Sequence, residues 1–431
     1  MTFRYAIAAI AIAAVTAPAA AQQGGPTIAI RGGTIHTMAG PDIANGTVLM
    51  RDGRIVAVGT NVQVPGDARS IDATGRHVYP GLFDAVTRLG LTEIGQVDVT
   101  NDITELGTFN PHLLGATAVH PASEHIPVAR ANGVTHAVAA PGARAGGIGG
   151  QGSLMHLDGW TIEEMLIAPS VGMVVEWPGL QTRGFGFGGG AARERSFREV
   201  QREYDARRDS LAGWLDAARQ YRHATQAGSA VTRDLRLEAL IPVVTGELPL
   251  LVGANTTRQI TDAIAFGEAQ DVRVVILGGS EAWKVADVLA AKRVPVILGA
   301  TQALPRSENE SYDERYAQPG KLHAAGVTFA ISTFDASDSR TLPFEAGFAV
   351  PYGLPAEEAL KAITRYPAEI LGVGDRLGTI EEGKIANLIV TDGTPLEIRT
   401  QTLHVIIAGH EVDMMNRHLE LYEKYRDRPK R

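Results

Sequence analysis

The sequence predicts an α/β protein, a parallel sheet covered by helices on both faces, joined to a small β domain assembled from both ends of the chain. Three observations predict it. Short β-rich runs crowd residues 27–76 and return near the C-terminus, and between them continuous apolar strands alternate with helical patterns. The 431 residues with 45% apolar content suffice to bury one large barrel core or two to three ordinary ones. A closed (β/α)8 barrel fits the alternation best, although a doubly wound open sheet has the same local signature.

The elements follow in order. Residues 1–21 read as a secretory signal: Arg4, an apolar run Ala6–Val15, then Ala19-Ala20-Ala21 before Gln22. The run is too short to span a bilayer comfortably and meets Pro18, so an exported protein, periplasmic or secreted, with no stable membrane span after cleavage is expected. Residues 22–79 carry β runs Thr27–Arg31, Thr47–Met50 and Arg54–Val58 with a turn signal at Arg51-Asp52-Gly53. Their partners are expected in 377–415, at Ala386–Thr391 and Leu403–Ile407, followed by a tail at 416–431.

Residues 80–376 hold the alternating pattern: strands Val134–Ala139, Val171–Glu176, Leu248–Val252, Val272–Leu277, Val294–Leu298 and Val327–Ser332, and helices such as Gln259–Ala269 and Glu281–Ala291. An insertion at about 183–228 interrupts the rhythm with Gly184–Gly190 and a helix bearing Arg193, Arg195, Arg198, Arg202, Arg207 and Arg208 among several acids. That helix is expected to be solvated and laced with i,i+4 pairs, with a lid over the barrel mouth as the alternative.

Composition excludes several chemistries. The chain has no cysteine, which rules out disulfides, thiolate metal sites and cysteine nucleophiles. A formal net charge of −8 is the opposite of a nucleic-acid binder's basic footprint, so no nucleic-acid partner is expected. Gly147-Ile148-Gly149-Gly150-Gln151-Gly152 matches G-x-G-x-x-G but lacks the strand and helix context of a dinucleotide site, and is read as a loop at the barrel mouth. Ser153 lies in no nucleophile elbow.

Three segments carry a family resemblance. His77-Val78-Tyr79-Pro80-Gly81-Leu82-Phe83-Asp84, the stretch from Arg340 through Leu342–Gly347 to Ala368–Gly372, and Leu377–Leu388 occur in the order in which the amidohydrolase superfamily has them. The chain is similar to that superfamily, close to its imidazolonepropionase-like group. The resemblance implies a TIM-like amidohydrolase barrel with a composite β-sandwich domain, and hydrolysis of C–N bonds in non-peptide or peptide-like substrates. It also implies a metal at the C-terminal ends of the strands, where imidazoles and carboxylates leave a position for water.

The residues depart from that pattern. After Asp84 the family places His-x-His, and here stand Val86 and Arg88. Gly253 occupies a further histidine position, and Val274–Gly279 ends in glycines where many relatives have another. Valine has no lone pair and arginine brings a permanent positive charge. Ile331–Asp335 resembles the segment whose aspartate binds metal and takes a proton from water; the extra Phe334 makes Asp338 the competitor of Asp335.

Asp335, with Asp338 as alternative, is therefore the catalytic candidate. Arg88, Glu281, Lys284 and Glu345 are ligand-binding candidates from their place near the C-terminal face; helix-start acids and a solvated lysine are the plainer reading of Glu281 and Lys284. No metal ligand is assigned and no cofactor is expected. A single zinc ion at a rebuilt site is the alternative, weighed on His112, His120, His125 and His136, which lack metal-pair spacing. His156 is read as a bonded structural histidine. Two functions follow: a C–N hydrolase with most metal ligands lost, or a non-catalytic relative binding a small anionic ligand or a protein partner. A homo-oligomer is left open.

Overall fold

The computed structural model describes residues 27–180, 195–306 and 310–428; the signal segment 1–21, Gly184–Gly190 and Arg193 lie outside them. Five strands come first: β1 (Ile28–Ile35), β2 (Ile43–Arg51), β3 (Arg54–Gly59), β4 (Arg69–Asp72) and β5 (His77–Pro80). Eight follow: β6 (Leu82–Thr87), β7 (Val134–Ala139), β8 (Gly147–His156), β9 (Leu166–Glu176), β10 (Leu250–Ala254), β11 (Val274–Gly278), β12 (Val296–Leu298) and β13 (Phe329–Ile331). The last are β14 (Leu388–Thr391), β15 (Thr402–Ile407) and β16 (His410–Glu411).

The two chain ends form one sheet in the order β16-β15-β14-β5-β1-β2-β3, with β4 paired to β1. β14 runs antiparallel to β5, Leu388 opposite Pro80 and Thr391 opposite His77. β2 and β3 meet through Asp52-Gly53, both at positive φ (51° and 77°), the two-residue hairpin turn whose twist matches the strands. The sheet curls until its β3 edge reaches the chain before β14: Ile55 N–H donates to Lys384 O at 2.9 Å, and Ala386 N–H to Gly53 O at 2.9 Å. Ile30, Val48, Ile55, Val78, Leu388 and Ile406 fill the resulting core, so sandwich-like packing comes from a single curled sheet.

The second sheet is the barrel, in the order β6-β7-β8-β9-β10-β11-β12-β13. Its period-2 alternation separates two cores. Leu251, Val275, Leu277, Ile297 and Ala330 pack inside the barrel, whereas Val252, Ile276, Leu298 and Ile331 pack outward against the helices. One strand departs from the expected all-parallel arrangement, because β8 is antiparallel to both β7 and β9.

β8 also corrects the reading of Gly147–Gly152, which is a strand and not a loop. A Cβ at Gly147 would lie 2.3 Å from Thr108 O, and one at Gly149 2.3 Å from Gly142 O. The glycines there admit close backbone approach by the segments on either side.

The charged helix Phe197–Gln226 starts at a capping box, Ser196 with Glu199, and buries a stripe of Val200, Tyr204, Leu211, Leu215, Ala218 and Tyr221. Tyr204 Oη accepts from Trp177 Nε1 at 2.9 Å and donates to Asp262, which ties the helix to the barrel flank. The solvated face carries the expected pairs, Arg207–Glu203 among them.

A buried joint couples the domains. Asn387 Nδ2 donates to Nδ1 of His136 and of His156 at 3.3 Å each, and Asn387 Oδ1 accepts from Ala408 N–H at 2.8 Å. Burial holds both imidazoles neutral, His156 at a pKa of about 4 and His136 well below its ordinary value. These histidines are structural, at the end of β7 and β8 away from the mouth.

The barrel closes between β6 and β13. Phe334 N–H donates to Val86 O at 2.9 Å, and Val86 N–H to Ser332 Oγ at 2.8 Å. Asp84, fully buried, accepts from Ser332 Oγ, from Thr333 N at 3.1 Å, from Thr333 Oγ1 at 2.5 Å and from Ser339 Oγ at 2.8 Å. Replacing this acceptor leaves the Thr333 N–H without its partner and takes one bond from each of three buried hydroxyls. Asp84→Ala is expected to cost about 3 kcal/mol or more, read as a lowered urea midpoint at unchanged m-value.

Candidate active site

The inward-facing register of the strands leads upward into a cavity of about 320 Å³ at their C-terminal ends. Val174, Leu251 and Val275 belong to the apolar interior, and two residues beyond the first two of these stand Glu176 and Gly253. Val86, Pro141, Leu277 and Phe334 give the cavity an apolar wall; Arg88, Glu176, Asn255 and Arg306 are its long polar side chains. A larger recess of about 810 Å³ opens at the opposite ends of β10–β12, by Pro249, Arg273 and Pro295. That face of such barrels serves stability, and the candidate groups are elsewhere.

Glycine decides what fills the mouth. A Cβ on Gly253 would stand 2.1 Å from Glu176 Oε2, so the carboxylate from β9 occupies the space that a side chain on β10 would need. One strand further, a Cβ on Gly278 would stand 2.7 Å from Asn255 Oδ1. At both strand ends a polar side chain leans across into room left by glycine. Asn255 is fixed there by Ser280 Oγ, which donates to its Oδ1 at 2.7 Å.

Burial pushes the Glu176 carboxyl up to about 7, with the nearby Arg306 guanidinium acting in the opposite direction. Burial lowers Arg306, helped by the like charge of Arg315. Within the described residues the guanidiniums of Arg88 and Arg306 have no hydrogen bond or ion pair.

The divalent metal that the family resemblance implies does not fit this donor set. Val86 offers no donor, Arg88 repels a cation, and Gly253 and Gly278 end their strands without side chains. Among the described residues no three His, Asp or Glu side chains converge to hold a metal ion, and His112, His120, His125 and His136 form no such group.

The expected site residues part company. Arg88 lines the cavity. Asp335 lies just outside it, in an adjoining recess of about 430 Å³ shared with Arg88 and His125. Its carboxylate accepts from Ser337 N at 2.8 Å, Ser337 Oγ at 2.9 Å and Asp338 N at 3.1 Å. Burial raises Asp335, but these bonds and the Arg88 charge outweigh it and hold the carboxyl below its ordinary value. From one residue before the N-cap Ala336 it ties down the start of the 3-10 turn Ser337–Thr341, and the competing Asp338 is exposed on that turn.

Glu281 and Lys284 pair with each other at 2.8 Å, and Glu281 also accepts from Thr257 N at 2.6 Å to cap the helix Thr257–Ala269. Buried Glu345 accepts from Thr301 Oγ1 at 2.9 Å and Gln302 N at 3.0 Å, holding the chain after β12. None of these three lines the mouth. Phe334, beyond the end of β13, adopts a left-handed φ of 58°.

Glu176, Asn255 and Arg306 were not singled out from sequence. Glu176 left a signal, a lone charge ending an apolar strand on the inward parity. Asn255 repeats that parity two residues after Gly253. Arg306 sits in a loop and carries no periodic mark.

Comparison with known proteins finds likeness to the amidohydrolase family. A model of the amidohydrolase family matches residues 273–416. The solved structure of an amidohydrolase from Thermotoga maritima superposes with a TM-score of 0.77 at 28% identity, covering 90% of this chain and 100% of that one. Amidohydrolase tasK of Hapsidospora irregularis is 26% identical over 402 residues, 84% of this chain. An imidazolonepropionase of Chromobacterium violaceum is 38% identical over 117 residues, 25% of this chain. The chain spans only 39% of the length of the former relative and 26% of the latter.

Gly253→Ala tests the packing beneath Glu176. The added methyl is expected to push the carboxylate toward solvent and move its titration down toward the ordinary glutamate range, followed by carboxyl-carbon NMR.

Proposed function

Because the chain belongs to the amidohydrolase superfamily, we propose that it hydrolyses a C–N bond in a small anionic substrate at the barrel mouth, with Glu176 moving the proton and Arg88 and Arg306 holding the anion. One observation carries this reading: Glu176, whose carboxyl burial pushes up to about 7, shares a cavity with the guanidiniums of Arg88 and Arg306, which make no hydrogen bond or ion pair among the described residues. General acid–base catalysis works best with a group whose pKa lies near the operating pH. Ionised, Glu176 takes a proton from water; protonated, it returns that proton to the leaving nitrogen. A guanidinium stabilises negative charge developing on the carbonyl oxygen. The signal-like segment at Arg4–Ala21 supports action outside the cytoplasm.

Loss of donors at Val86, Arg88 and Gly253 favours a second reading, in which the mouth binds an anion without turning it over. Bound metal in the purified chain, together with a screen of amides, lactams and dipeptides with and without added zinc or manganese, separates the two. Turnover that falls roughly 100-fold in Glu176→Gln, with KM little changed, supports hydrolysis through Glu176. An unaltered kcat in that variant sinks the role of Glu176, and absence of turnover throughout leaves the binding reading.

A further inference from the structure

We propose that the mouth takes a small organic acid with a compact apolar body, and that the acid enters together with one proton, which settles on Glu176. This rests on the reading of the mouth as an anion site. The cavity of about 320 Å³ is at the small end of ligand pockets, and its lining is mixed in character. Val86, Pro141, Leu277 and Phe334 offer apolar surface, interleaved around the mouth with Asn255, Glu176 and the arginines. An inorganic oxyanion would leave the apolar surface uncovered. A cation would meet Arg88 and Arg306.

The charges around Glu176 come from each neighbouring element. Arg306 follows β12, Arg88 follows β6, Asp335 stands beyond Arg88 after β13, and the neutral Asn255 follows β10. The Glu176 carboxyl has no hydrogen-bond donor among the described residues, and Gly253 beneath it brings no side chain to supply one. A ligand carboxylate would set a second negative charge in the same enclosed space. Two carboxylates there do not both stay ionised, and a proton shared between them turns repulsion into a hydrogen bond.

Sign and range follow from linkage. Below about pH 7 the Glu176 carboxyl already holds its proton, and binding takes up none. Above it, binding draws in up to one proton, and affinity falls by up to tenfold per pH unit.

Titration calorimetry of the purified chain with benzoate and 3-methylbutanoate, in Tris and HEPES, reads the proton count directly. Uptake near one at about pH 8 and near zero at about pH 5.5 is expected, with benzamide and inorganic phosphate binding at least about tenfold more weakly. Glu176→Gln is expected to retain binding and lose the uptake, and Arg88→Met and Arg306→Met each to weaken binding at least about tenfold. The proposal is overturned if no acid binds, if acids bind without uptake at pH 8, if Glu176→Gln keeps the uptake, or if benzamide binds equally well. Turnover of a neutral amide without acid binding would end this inference and leave hydrolysis standing; acid binding with uptake but no turnover would do the reverse.

Discussion

The eight strands of the barrel close between β6 and β13, and one buried carboxylate gathers much of that seam. Asp84 on β6 accepts from two hydroxyls and an N–H on the strand-end segment Ser332–Thr333 and from Ser339 beyond it. Burial raises its pKa while those bonds lower it, the balance being a net rise. Short β13 supplies only three paired residues, so side chains do what a longer ladder would do elsewhere. This closure fixes where Val86, Arg88 and Phe334 stand, and through them the shape of the mouth.

The mouth shows how a site changes while its scaffold holds. Glycine at residue 253 leaves no hole, because Glu176 from the preceding strand fills the space. The same exchange recurs one strand on, between Gly278 and Asn255. Each glycine is thus paired with the residue leaning over it, and neither member changes freely without the other. The layers below consist of inward-facing Val174, Leu251, Val275 and Ile297, which pack alike whatever lies above them.

Much of the scaffold was legible in the sequence, and the reasons are physical. Apolar runs such as Val134–Ala139 and Val274–Gly278 have to be strands covered on both faces, and Asp52-Gly53 has to be a tight turn. The pairing of β14 with β5 followed from two β-rich ends that each lacked partners. β8 was hidden because its glycines look like a loop when the segments pressing on them are unknown; only the fold reveals the crowding at Gly147 and Gly149. Within the site, Arg88 was legible from its place after Asp84. Glu281, Lys284 and Glu345 were near the right face but spend their bonds on helix capping and loop anchoring, which sequence position cannot distinguish from ligand contact.

The character of the mouth follows from its guanidiniums, which differ in kind from a divalent cation. A metal is exchangeable, chooses its ligands by geometry and activates bound water; a guanidinium is permanent, planar and a donor only. Arg88 and Arg306 therefore bring positive potential to the mouth without bringing a Lewis acid of their own. Among the side chains that line the cavity, the one whose burial and raised pKa suit proton transfer is Glu176. Its elevated pKa depends on the enclosure made by Gly253 and the apolar wall, and Arg306 keeps it from rising further. Cation and proton carrier are thus held by different strands around one cavity, so that substitution at either is felt at the other through charge rather than contact.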